Sequence, residues 1–241
     1  MQQRGDIAAQ RVQVRVTNTS DAPITVTAAR LSSAALEAPA GGDTKRPVTI
    51  GAGRTTDLPV ALSAIRCTSG DPSPRVALRL GDDEEPTVAA TDALGVLGRL
   101  SATQCDRDAV ASIAHVSATA VTPAVDGFAG LVLSIEPSPD AAAGSVDLVA
   151  LRGTPLLRFR GGGEAALGLR IAGGDPASEI TVPVTPIRCD AHAIAEDKVG
   201  TLFDLVARVG GREVVVPLDR SSRVAADLLV FTAATCGLTP G

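Results

Sequence analysis

The chain repeats itself, and that repeat limits what it can fold into more than any other feature. Around the first cysteine it reads Leu58-Pro-Val-Ala-Leu-Ser-Ala-Ile-Arg-Cys67, and 122 positions later Ile180-Thr-Val-Pro-Val-Thr-Pro-Ile-Arg-Cys189. Leu97-Gly-Arg-Leu-Ser-Ala-Thr-Gln-Cys105 likewise has a counterpart in Leu228-Leu-Val-Phe-Thr-Ala-Ala-Thr-Cys236. A fixed internal period means two copies of one folding unit. Four cysteines allow three pairings, and the repeat singles out Cys67–Cys105 and Cys189–Cys236. The cut falls at Asp106-Arg107-Asp108, which makes residues 1–107 the first domain and 108–241 the second. Each is long enough to bury its own core. The polar link is short, so the pair is expected to behave as a semi-rigid rod.

Hydrophobic alternation sets the fold class. Val12, Val14 and Val16 face one way and Gln13, Arg15 and Thr17 the other, the period of a half-buried strand. Asn18-Thr-Ser-Asp-Ala-Pro23 is turn chemistry, after which Ile24, Val26 and Ala28 resume the pattern, so a β-hairpin is expected. Leu131, Leu133 and Ile135, then Glu-Pro-Ser-Pro-Asp140, then Val146, Leu148 and Ala150 predict its echo. Further strands are expected at 47–50, 57–65, 76–80, 87–90 and 97–103, and at 156–159, 166–171, 179–187, 202–209, 213–218 and 228–234. Glycine- and proline-rich breaks separate them at short intervals, including Gly41-Gly42 and Gly173-Gly-Asp-Pro176. Residues 91–100 and 221–229 have mixed apolar spacing behind capping residues, so at most one short helix per domain is expected before the second-cysteine strand. The pattern as a whole predicts an all-β protein of two β-sandwiches.

The segment Val12-x-Val-x-Val16-x-Asn-Thr-Ser-Asp-Ala-Pro-Ile-Thr-Val26, with the paired cysteines, resembles tandem immunoglobulin-like domains of secreted bacterial surface proteins. The resemblance implies two tandem immunoglobulin-like β-sandwich domains, each with one intradomain disulfide. It departs from antibody-type domains, with no tryptophan against the disulfide and no tyrosine corner. Cys67 and Cys189 sit where a strand runs into a loop, so each bridge is expected to clamp an end of its sandwich. Closing loops of about 40 residues stabilises each domain by roughly 4 kcal/mol on the chain-entropy model.

Composition narrows the chemistry. The net charge is −5 with no basic run, which argues against nucleic acid as a partner. Lysine occurs only at Lys45 and Lys198, a usage that fits a GC-rich bacterial genome. Duplicated disulfides point to an extracellular or cell-envelope location. Met1-Gln-Gln-Arg4 reads as an initiator on a trimmed ectodomain, with any leader or anchor removed. No tryptophan or tyrosine is present, and Phe128, Phe159, Phe203 and Phe231 all lie in the second half. Ligand platforms that stack sugars or bases on aromatic rings are therefore not expected, and carbohydrate is disfavoured.

Candidate chemical groups are few. His115 alternates with Ile113 and Ser117 as in a strand, and His192 follows Cys189-Asp-Ala. No hydrolase elbow, phosphate loop or dinucleotide fingerprint occurs. The run Asp82-Asp83-Glu84-Glu85 offers oxygens for a cation but lacks the alternation of a dedicated calcium loop, and reads as a solvated hairpin tip. Arg4-Gly5-Asp6 spells an integrin tripeptide and Asn18-Thr-Ser20 a glycosylation acceptor, each with a simpler local reading. The expectation is a non-enzymatic extracellular or envelope binding or scaffold protein with no cofactor, whose partner is another protein or envelope component. The oligomeric state stays open. The alternative is a solute- or metal-binding component that captures its ligand at the domain interface, with Asp82, Asp83, Glu84 and Glu85 or the His192 loop (Glu196, Asp197) as ligands.

Overall fold

The computed structural model describes Asp6 and residues 9–81, 85–190 and 200–238. The chain divides into two compact units, residues 1–105 and 106–241. In the first unit β1 (Arg11–Thr17) pairs antiparallel with β4 (Thr55–Ala61). Facing strands form a second sheet in the order β3 (Ala40–Ile50), β2 (Ile24–Ser32), β5 (Arg75–Leu80), β6 (Thr87–Ala89). Their inward residues, among them Val12, Val26, Leu31, Ile50, Leu58, Val60 and Val76, make a wholly aliphatic core.

The second unit has a larger first sheet. Its order is β10 (Leu157–Phe159), β12 (Ser178–Pro186), β8 (Ala129–Pro137), β7 (Ala114–Val121), β15 (Asp219–Arg220). The facing sheet runs β11 (Glu164–Ala172), β9 (Ser145–Arg152), β13 (Asp204–Val209), β14 (Arg212–Pro217). Leu131, Leu133, Ile135, Leu148, Leu151 and Leu205 pack with Phe159, Phe203 and Phe231 in its core. Phe159 and Phe203 meet with ring centroids 5.9 Å apart. Both units are immunoglobulin-like β-sandwiches, each with one disulfide.

Strand register makes the repeat explicit. Val12 of β1 lies opposite Val60 of β4, and Leu131 of β8 lies opposite Val182 of β12. Val60 and Val182 are the positions that the cysteine-flanking repeat superimposes, so β8 and β12 are the copies of β1 and β4. In the same order β9, β11, β13 and β14 repeat β2, β3, β5 and β6. Strands β7, β10 and β15 have no counterpart among the described strands of the first unit, where an isolated bridge between Leu36 and Ile65 stands at the place of β10.

Three expectations change. The turn at 18–23 does not make a hairpin: among the described strands β1 pairs with β4 alone, while β2 pairs with β3 and β5. The chain crosses from one sheet to the other there, and again between β8 and β9. Alternation and turn chemistry are identical for a hairpin and for such an arch, so only sheet pairing separates them.

The second-cysteine segments are helical, not strands: α1 spans Val96–Ala111 and α2 spans Ser222–Thr235. In α2 the Ser221 side chain caps the Val224 N–H, and Val224, Leu228, Phe231 and Thr232 are buried at helical spacing. In α1 the Asp92 carboxylate accepts the N–H groups of Val96 and Leu97, each at 2.8 Å. The expected linker, Asp106-Arg107-Asp108, lies inside α1. The third change concerns Gly41, read as a break but lying within β3 at φ +90°. A Cβ there would stand 2.4 Å from the Ala29 carbonyl oxygen, so glycine lets β2 approach.

Both bridges sit at sandwich ends. Cys67 lies in the coil beyond β4 and bonds Cys105 on α1; Cys189 lies beyond β12 and bonds Cys236 at the end of α2. Buried Ser101 reinforces the first bridge, accepting from the Thr68 N–H at 2.9 Å and donating to the Arg66 carbonyl at 2.8 Å.

Candidate binding groove

A cleft of about 860 Å³ opens in the first unit between β1 and the β5–β6 side of the facing sheet. Val12, Val14 and Val16 line it from β1, and Val76, Leu78, Leu80 and Val88 from β5 and β6. The connection 90–95 and the first residues of α1 close one side, and the 18–20 turn contributes polar atoms. Val88 and Leu94 are 50% and 56% exposed, although both belong to this apolar lining.

The charged and amide groups of the lining have structural work. Arg15 holds Asp57 through two hydrogen bonds, Nε to Oδ1 at 2.8 Å and Nη2 to Oδ2 at 2.9 Å. That pairing keeps the Asp57 carboxyl below its ordinary range and pushes the Arg15 guanidinium up. Asp92 is spent on capping α1. The buried Asn18 side chain donates to the carbonyls of Ala22 (2.8 Å) and Ile50 (3.0 Å) and accepts from Ser20. The nitrogen that a glycan would need is thus committed to the turn.

The residues singled out from sequence do not assemble into one site. Asp82, Asp83, Glu84 and His192 lie outside the described residues, as do Glu196 and Asp197. Glu85 accepts from Arg30 across the sheet face. Cys189 is bonded to Cys236, so it supplies no thiolate beside His192. His115 is exposed on β7 opposite Glu136. Asp6 is buried and accepts from Arg11 and Gln13, which leaves its carboxylate undisplayed. Phe128 packs under the Arg160 guanidinium at 4.2 Å. In the second unit a shallower depression of about 630 Å³ lies beside the exposed Val230 of α2.

Sequence reasoning missed the groove because it treated the copies as equivalent; the apolar run Val110 to Val121 holds β7, the strand that covers the corresponding place in the second unit.

No protein-family model matches this sequence, and no curated protein sequence matches it. Among solved structures the chain is similar to the E. coli chaperone DraB, at 11% identity and a TM-score of 0.22, over 89% of this chain and 90% of that one. It is similar to the YadV chaperone at 14% identity and a TM-score of 0.21, over 87% and 92%. It is also similar to CBD12 from CALX1.2 at 11% identity and a TM-score of 0.24, over 94% and 88%. Scores this low carry no argument about what the chain binds.

Proposed function

We propose that this chain is a non-enzymatic binding module that works outside the cytoplasm and engages a protein through the groove of its first unit. The observation that carries this reading is an apolar cleft with half-exposed Val88 and Leu94 in its wall. Exposed apolar lining of this kind marks interaction sites. The groove's two charged side chains are engaged elsewhere, Arg15 by Asp57 and Asp92 by α1, so its chemistry suits contact over group transfer. Two intradomain disulfides fit an oxidising compartment.

A photo-cross-linking residue at position 88, against the same residue at exposed position 46 on β3, tests the proposal in the protein's native cells. A protein adduct from position 88, absent from position 46 and lost with Leu94→Glu, is the expected result. Equal labelling from both positions, or none from either, would overturn it.

A further inference from the structure

We propose that the outer face of the second unit's four-stranded sheet binds the same face of a second copy of this chain, about a two-fold axis that runs along the strands between β9 and β13. Leu148, Leu151, Leu205, Ala207, Val214 and Val216 belong to the core of the second unit, so the residues that alternate with them face outward. Strand register sorts these outward residues into three rows across β11, β9, β13 and β14. The first reads Glu164, Arg152, Asp204, Pro217; the second Ala166, Ala150, Val206, Val215; the third Arg170, Asp147, Arg208, Glu213. Ala150 and Val206 are buried, yet neither is part of that core.

Such an axis keeps each row level and exchanges β9 with β13 and β11 with β14, so the face must complement itself. It does. Arg152 meets Asp204 of the second copy, Asp147 meets Arg208, and Arg170 meets Glu213. The apolar row meets itself, Ala150 on Val206 and Ala166 on Val215. Glu164 faces Pro217 and keeps its own bond from Arg152. The first unit offers no such match: the corresponding row of its sheet reads Gly41, Arg30, Ala77, Thr87, and the same axis would set Arg30 on Ala77.

Asp204 points the same way. Arg152 Nε donates to Glu164 at 2.8 Å, and Asp204 has no hydrogen bond or salt bridge among the described residues. Loss of water around Asp204 pushes its carboxyl above its ordinary range, against the pull of Arg152. Arg152 of the second copy would stand opposite this carboxylate. Arg170 with Asp147, and Arg208 with Glu213, form surface ion pairs that give way to new partners at little cost. A four-stranded face with strands about 4.8 Å apart lies at the low end of specific interfaces, so a dimer at roughly tens of micromolar chain is expected.

Sedimentation velocity of the full chain across a concentration series tests this, and a monomer–dimer equilibrium is expected. Asp147→Arg and Arg208→Glu should each weaken the dimer about tenfold or more, because each sets like charges opposite one another. An equimolar mixture of the two variants should regain it, since every contact then joins opposite charges again. Val215→Glu, in the apolar row, should also weaken it, and Arg79→Glu on the first unit's sheet should not. Melting temperatures establish that each variant is folded. A chain that stays monomeric up to about 1 mM would overturn the proposal. So would a dimer that neither charge variant weakens, or a mixture as monomeric as its parts. A dimer broken by Leu94→Glu and not by Asp147→Arg would place self-association in the first unit's groove and remove this face as the interface.

Discussion

Leu131, Leu133 and Ile135 of β8 are wholly buried, whereas their counterparts in the first unit grade from buried Val12 to half-buried Val14 and Val16. The alternating pattern is the same in both. What differs is the neighbour: β8 lies between β12 and β7, while among the described strands β1 has only β4. The second unit also carries three buried phenylalanines where the first packs aliphatic residues alone. One strand pattern can therefore close a core or leave a groove, according to whether a further strand lies beside it.

Four sets of substitutions put that contrast at risk. Replacing either cysteine pair by serine should cost about 4 kcal/mol, nearly equal for the two units, because loop closure grows only slowly with length. The bridged residues are 38 and 47 apart. Urea unfolding followed by circular dichroism measures this, and a much larger loss for one pair would show that its bridge does more than close a loop.

Leu133→Ala should cost about 3 kcal/mol, within the range for fully buried leucines, and Val14→Ala about 1 kcal/mol. Equal shifts in urea midpoint would mean that β1 is as well covered as β8. Val88→Glu and Leu94→Glu should change stability by no more than about 0.5 kcal/mol, as for exposed surface positions. A clear loss in either thermal melt would mean that the groove is closed in solution.

The smallest effect is expected from Arg15→Ser, which gives β1 the serine that β8 carries at Ser134. Asp57, held low by Arg15, favours the folded state above its ordinary pKa, and that contribution fades as pH falls through its lowered folded value. In the variant this part of the acid dependence should vanish, as stability against pH would show. The pair is exposed, so stability near neutral pH should scarcely move.

Much of this fold is legible along the chain. Strict alternation over Val12 to Val16 identifies a half-buried strand, Asn18 to Pro23 a turn, and the cysteine repeat the two pairings that the structure contains. The helices were not legible with equal clarity. Leu228-Leu-Val-Phe231 is a short apolar run that suits a buried strand or a helix alike. Ser221 as a cap and the packing of α2 against β7 and β12 resolve it. The candidate site was not legible at all, since none of its lining residues carries a chemical signature.

Local pattern and periodicity reach as far as strand, turn, repeat and disulfide, because each depends on residues near in sequence or matched by the copy. Which strand pairs with which depends on contacts between residues far apart in the chain, and alternation is blind to them. Tertiary pairing sent β2 into the sheet opposite β1, and it gave β8 a second neighbour in β7. Among the described strands β1 has no neighbour in the place of β7, and the apolar side chains that β7 covers in the second unit line the groove along β1 in the first.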